Sequence, residues 1–254
     1  MHKLYLYLLA AAVIINCSSA QAQTIVLAKD TPLVPQGWSV ANANLEFKKD
    51  TAAQLNDDGQ VITGVLDADT YLRPAGWRYL INDCYLTTST NIFGPPFFHH
   101  PPVRNNIVLP TYQHLRYKGN TAVTFDTSGC VLSGTIDDTA TLQLQPDKYG
   151  FVTFKAGTRL TFYPAGTAAS GTLAKDYRLR PSGWQANING LAGGFLEFKS
   201  GSDIEFTADG LVSTGTLKKA AFWTQPDNTV IQLPKNIPIV FQNGTAKFTA
   251  PEEK

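Results

Sequence analysis

The chain has 254 residues, with 21 Lys and Arg against 20 Asp and Glu, and only 16% of its residues are charged. A near-neutral chain without a basic run argues against nucleic acid and anionic membrane surfaces as partners. Long helices would need more Glu, Lys, Ala and Leu in periodic windows, whereas plentiful Gly, Pro, Thr and aromatic residues favour strands and tight turns. We therefore expect an all-β protein.

Residues 1–22 have the pattern of a signal peptide. Lys3 supplies a positive charge near the start, and residues 4–15 form an apolar run that is too short to span a bilayer as a helix. A small-x-small site predicts cleavage after Ala22. The mature chain is then expected to be exported to the periplasm, the cell envelope or the extracellular space, with no transmembrane span.

A lipoprotein anchored through Cys17 is the alternative to simple cleavage. Asn16 stands immediately before this cysteine, where lipoprotein signals usually have a small residue. The sequence therefore favours the cleaved, unanchored form.

The mature chain contains a repeat. An aromatic residue and Lys begin each copy, and a turn glycine comes twelve positions after the aromatic residue, at 47–59, 117–129, 154–166 and 198–210. A second glycine always comes five residues later, at Gly64, Gly134, Gly171 and Gly215. Four matches in one register predict a tandem array. Each second glycine interrupts an alternating apolar pattern, so we expect a bulge or a close backbone approach there.

The alternation within each copy predicts antiparallel β-hairpins joined by tight turns. Such hairpins would form an elongated sheet or a solenoid-like array. A closed barrel is also compatible with the pattern. One repeat domain, 23–254, is expected, with an insertion at 78–114. Its units are expected at about 24–38, 45–77, 115–149, 152–184 and 196–242.

Three of the units, 24–38, 45–77 and 152–184, end in Leu-x-Pro-x-Gly-Trp. Proline cannot donate to a β-ladder, so it marks a strand end, after which Gly turns the chain and places the tryptophan. We expect Trp38, Trp77 and Trp184 to plug the contacts between neighbouring units, because a two-stranded unit cannot bury its own apolar face. Asp176, between the second glycine and this motif, is expected to form a turn through its own backbone.

The glycine and aromatic spacing of these units resembles the MORN and WG classes of β-hairpin repeat, over roughly residues 24–242. The period is longer than that of MORN repeats. The chain more closely resembles exported bacterial proteins that carry SGTLxxDxxLxPxGW units. That resemblance implies a bacterial cell-envelope context and transfers no catalytic residue.

The insertion contains the one stretch that breaks the repeat pattern, residues 91–106. Its paired prolines forbid helix and discourage ladder pairing, so a long Pro-rich loop is expected. Long aromatic loops of this kind are often functional. The residues expected to contact a partner there are Phe93, Phe97, Phe98, His99 and His100.

No catalytic, cofactor or metal site is predicted. His99, His100 and His114 lack a nearby carboxylate, since no Asp or Glu lies between residues 84 and 126. The recurring acidic turns lack a calcium-loop pattern, and Asp is a routine turn residue. Nucleophile and phosphate-loop motifs are also missing from the sequence.

Cys84 and Cys130 are the two cysteines beyond the leader. An exported chain with two cysteines favours a disulfide, but two separate thiols are an equally open alternative, because geometry decides the matter.

These features predict a non-enzymatic exported repeat protein that acts as a scaffold or binding surface for a protein or glycan of the cell envelope. A carbohydrate-binding module that uses the repeat aromatics is the alternative. A third possibility, an enzyme, would need a concave polar pocket, expected near His99 and His100.

Overall fold

The computed structural model describes residues 22–39, 45–77, 114–144, 151–188, 190 and 192–248. The protein is all-β and antiparallel, as predicted, with hairpin after hairpin along the chain. The strands of one large sheet, in the order in which they lie side by side, are β1 (Gln23–Val26), β4 (Ala52–Leu55), β5 (Val61–Val65), β8 (Ala122–Phe125), β9 (Val131–Thr135), β12 (Arg159–Phe162), β13 (Ala168–Thr172), β16 (Asp203–Phe206), β17 (Val212–Thr216), β20 (Pro238–Gln242) and β21 (Thr245–Lys247).

The other strands form two-stranded ribbons. These ribbons are β2 (Thr31–Leu33) with β3 (Leu45–Phe47), β6 (Thr70–Leu72) with β7 (Leu115–Tyr117), β10 (Ala140–Gln143) with β11 (Phe151–Phe154), β14 (Tyr177–Leu179) with β15 (Leu196–Phe198), and β18 (Ala221–Thr224) with β19 (Val230–Leu233). In the first four ribbons the first strand ends one unit and the second begins the next, whereas β18 and β19 both lie within 196–242. Consecutive units are therefore joined twice, once in the sheet and once in a ribbon.

The core contains the inward-facing residues of the sheet together with the aromatic residue that begins each unit. Phe47, Tyr117, Phe154 and Phe198 are each 0% exposed. The strands alternate buried and exposed positions with the period of two that a half-buried strand requires, as in β16, where Ile204 and Phe206 point inward.

The second glycine of each unit makes room for that aromatic ring. A Cβ atom at Gly64 would lie 2.6 Å from the ring of Phe47, and one at Gly215 would lie 2.7 Å from the ring of Phe198. Gly134 and Gly171 face Tyr117 and Phe154 in the same way.

This corrects the expectation of a bulge or a close backbone approach at the second glycine. In all four hairpins the register shifts two residues before the second glycine, at Ile62, Leu132, Ala169 and Ser213, so a bulge lies near the glycine but not at it. The close neighbour of the glycine is a side-chain ring of its own unit. The aromatic residue that begins each unit therefore requires glycine at this second position, because a side chain there would occupy the space of the ring.

The repeated aspartates also act differently from the expectation. Asp176 Oδ1 accepts a hydrogen bond from the backbone N–H of Ser200, 2.8 Å away in the next unit, and Asp69 accepts one from Gly119 in the same manner. These carboxylates therefore link consecutive units rather than close their own turns. Lys218 Nζ lies 2.5 Å from Asp176, and this ammonium together with the Ser200 N–H holds the pKa of Asp176 well below its usual range, at about 2.

Candidate binding groove

The Leu-x-Pro-x-Gly-Trp segments are three straps along the turn end of the large sheet, at residues 33–38, 72–77 and 179–184. In each strap the backbone N–H of the tryptophan donates to the backbone carbonyl of the proline over 3.1 Å and closes a four-residue turn. The third residue of that turn is a glycine with positive φ, 68° at Gly76 and 82° at Gly183, which an L-residue adopts only with strain.

Each strap crosses two successive hairpins. Pro74 forms a parallel bridge with Val131 of β9, and Gly76 then lies against Gly166 in the turn of the following hairpin. A Cβ atom at Gly76 would lie 2.2 Å from Gly166 Cα, so both positions need glycine. The straps therefore connect units that are not adjacent in the sequence.

Trp38 extends the same connection in the first strap. Its Nε1 donates to the carbonyl oxygen of Gly129 over 2.8 Å, and its ring meets Phe125 edge-on, with centroids 6.4 Å apart. Gly129 is in the turn between β8 and β9, so Trp38 joins its strap to a hairpin two units further along.

Trp184 packs differently from the expected plug between units. It begins a short 3-10 turn, Trp184–Asn187, and it contacts Gly194 of the connection after that turn. Arg180 of its own strap lies over its ring at 3.8 Å. The fully buried tryptophan is Trp223, whose Nε1 donates to the Gly244 carbonyl over 2.8 Å. Trp223 replaces the leucine of the motif, and sequence reasoning missed it.

A groove of about 680 Å³ lies where the first two straps meet the turns of the sheet. Trp38, Tyr71 and Trp77 supply its aromatic walls, and Arg73 and Asp126 are among its polar residues. Tyr71 is 52% exposed. This volume is in the range of small-ligand sites, and a few polar groups among aromatic walls are their usual composition.

The two charged groups of the groove have different surroundings. Asp126 Oδ1 accepts hydrogen bonds from the Ser128 N–H, the Ser128 hydroxyl and the Cys130 N–H, at 2.7–2.9 Å. This carboxylate therefore stabilises its own turn. The Arg73 guanidinium lies 4.6 Å from the centre of the Trp77 ring, and it has no ion pair among the residues that the structure describes.

The residues predicted to contact a partner, Phe93, Phe97, Phe98, His99 and His100, lie outside the described residues, as does Cys84. The disulfide between Cys84 and Cys130 stays a prediction. Cys130 is half-buried and lies in the groove wall, and His114, at the end of the insertion, also lines the groove.

Sequence reasoning missed the groove, because its walls come from two straps whose separation in space the repeat does not specify. The signal that could have found it is the pairing of Arg73 with Trp77, an Arg that precedes the strap tryptophan by four residues. Within the described ranges no three His, Cys, Asp or Glu side chains converge as metal ligands.

No protein-family model, curated protein or solved structure matches the chain. The resemblance to MORN and WG repeats therefore stays a prediction. Among the described residues, no helix has the length and apolar character needed to cross a membrane. A function for the groove has to be argued from its own chemistry.

Proposed function

We propose that this chain is an exported, non-enzymatic repeat protein that presents a binding surface in the cell envelope, with the groove at the first two straps as its binding site. The leader-like residues 1–22 support the exported location. The repeated contacts support a scaffold role, because the ribbons, straps and aspartates all serve to join units.

The observation that carries this proposal is the composition of the groove. Trp38 and Trp77 from two straps and Tyr71 from β6 line one concavity of ligand size, and Tyr71 is more exposed than a core residue would be. An exposed aromatic group in a concave site is a feature of ligand-binding surfaces.

A carbohydrate is the ligand class that these walls favour. Sugar rings present an apolar C–H face that packs on aromatic rings and a rim of hydroxyl groups that bond to polar side chains. The groove offers both kinds of contact, since Arg73 and Ser128 lie beside its aromatic walls.

Two aromatic residues at the same strand position allow a matched test. Tyr71 in β6 precedes the motif leucine, and Phe222 in β18 precedes Trp223, which replaces that leucine. Phe222 is 66% exposed and is not part of the groove wall. We expect a glycan array followed by calorimetry to identify retained oligosaccharides. Tyr71→Ala should weaken binding about tenfold, as loss of about 1.4 kcal/mol of stacking implies, and Phe222→Ala should leave it unchanged. An array without retained glycans, or equal losses in both variants, would contradict the proposal.

A further inference from the structure

The geometry points to an acidic saccharide as the ligand of the groove, with its carboxylate bound by Arg73 and its ring packed against Tyr71 and Trp77. This inference rests on the proposed carbohydrate-binding function and adds the charge of the ligand to it.

Arg73 is arranged to receive a planar anion. Its guanidinium stacks over the Trp77 ring at 4.6 Å, which restricts the guanidinium plane and leaves N–H donors at its edge. A carboxylate can accept two parallel hydrogen bonds from that edge. A sugar that stacks beside Trp77 would place a ring carboxylate near these donors, since both groups line the same groove.

The charges around the groove favour this anion. Arg73 is exposed and has no ion-pair partner in the described part of the chain. Asp126 keeps its negative charge, but its Oδ1 is hydrogen-bonded within its own turn and it makes no ion pair with Arg73. An incoming carboxylate therefore meets a guanidinium that no carboxylate of the described residues already neutralises.

Arg180 in the third strap, 179–184, is a guanidinium whose contacts are made by the chain itself. Arg180 lies between Trp184, at 3.8 Å, and Phe195, at 4.4 Å, and its Nε donates to the Gly193 carbonyl over 3.0 Å. The chain itself thus fills the contacts that a ligand would make at Arg73. Arg180 is therefore the internal control for Arg73.

An acidic peptide could also supply a carboxylate. The described lining of the groove favours a sugar over a peptide because it contains one guanidinium among three aromatic side chains, whereas recognition of acidic peptides generally uses clusters of arginines. The peptide is one outcome of the experiment.

The experiment titrates the exported full-length protein with uronic acid oligomers, with the same oligomers as methyl esters, and with a glutamate oligopeptide of equal charge. We expect the acids to bind about tenfold more tightly than their esters at low salt, which corresponds to one charge-assisted contact. The difference should shrink when salt is raised, because part of the groove is open to water.

The variants then assign the effect to one residue. Arg73→Gln should abolish the difference between acid and ester while binding of the ester persists, and Arg180→Gln should keep the difference. Thermal melting of both variants checks that they fold. Equal binding of acid and ester by the native protein would overturn the charge selection and leave the carbohydrate function standing. Absence of binding by every sugar would contradict both, and equally tight binding of the glutamate peptide would overturn the saccharide assignment.

Discussion

The straps at 72–77 and 179–184 have the same motif, Leu-Arg-Pro-x-Gly-Trp, and the same backbone. In both, the proline bridges a neighbouring hairpin, the glycine abuts a turn glycine of the next hairpin, and the arginine lies over the tryptophan. The two straps differ in the surroundings of their arginines. The connection after Trp184 returns Gly193 and Phe195 to Arg180, whereas Arg73 lies in the wall of a groove.

This difference separates the part of the motif that builds the fold from the part that can act on a ligand. Leucine, proline and glycine make the backbone and core contacts that recur in the straps. The arginine and tryptophan side chains have a surface that either the following connection or a ligand can contact. We therefore expect ligand binding at the strap whose arginine lies in the wall of the groove.

The largest expected change in stability comes from substituting the corresponding glycines of the two straps, Gly76 and Gly183. A Cβ atom at Gly183 would lie 2.0 Å from Gly244 Cα, and its φ is 82°. We expect Gly183→Ala, and equally Gly76→Ala, to lower the free energy of unfolding by about 3–5 kcal/mol, since backbone strain and overpacking combine. Gly201, with φ of 71° and open space around it, should cost only about 1–2 kcal/mol as alanine. Chemical denaturation measures all three, and a mild effect at one strap alone would break the comparison.

The next effect concerns the second glycine of a unit. Gly215→Ala would bring a methyl group within 2.7 Å of the fully buried Phe198 ring, so we expect a loss of about 1–3 kcal/mol. Phe198→Leu in the same molecule should recover part of that loss, because the two sites are in contact. Additive losses in the double variant would show that the ring does not dictate the glycine. Gly190→Ala, where no atom lies within 4 Å, is the control.

A smaller effect, with the opposite sign, is expected at Tyr117, which lies near Cys130 of the groove wall. Tyr117 occupies the position of Phe154 and Phe198, and its fully buried hydroxyl has no hydrogen-bond partner in the described structure. Burial raises the pKa of Tyr117 well above its usual range. Tyr117→Phe should therefore stabilise the protein by about 1 kcal/mol, since it removes an unsatisfied polar group. A lower melting temperature would indicate that the hydroxyl has a partner or a role in the groove.

The smallest effect is a pH dependence at Asp176, which precedes the third strap. Because the pKa of Asp176 is lowered to about 2, its ionised form stabilises the fold above about pH 4, and that contribution is lost as the pH falls towards 2. Asp176→Asn and Lys218→Ala should each make the loss of stability between pH 4 and 2 shallower than in the native protein. Parallel acid-unfolding curves for all three proteins would contradict this assignment.

The sequence predicted the all-β hairpin array because alternation and turn glycines are local signals. It also showed that Gly64, Gly134, Gly171 and Gly215 recur in register, but the reason lay in rings that pack from another strand. The approach of Gly76 to Gly166 and the reach of Asp176 to the next unit are long-range contacts that spacing alone does not specify. The groove depends on two straps at once, and the spacing of Arg73 and Trp77 recurs at Arg180 and Trp184, so spacing alone does not single out Arg73.

The four tryptophans allow the most direct test of the central claim, that the first two straps bind a ligand and the third does not. Nuclear magnetic resonance of the indole N–H groups would monitor Trp38, Trp77, Trp184 and Trp223 during titration with a retained acidic oligosaccharide. The signals of Trp38 and Trp77 should shift in a saturable way, while those of Trp184 and Trp223 stay in place. Shifts confined to Trp184, or four unchanged signals in the presence of bound sugar, would contradict the account.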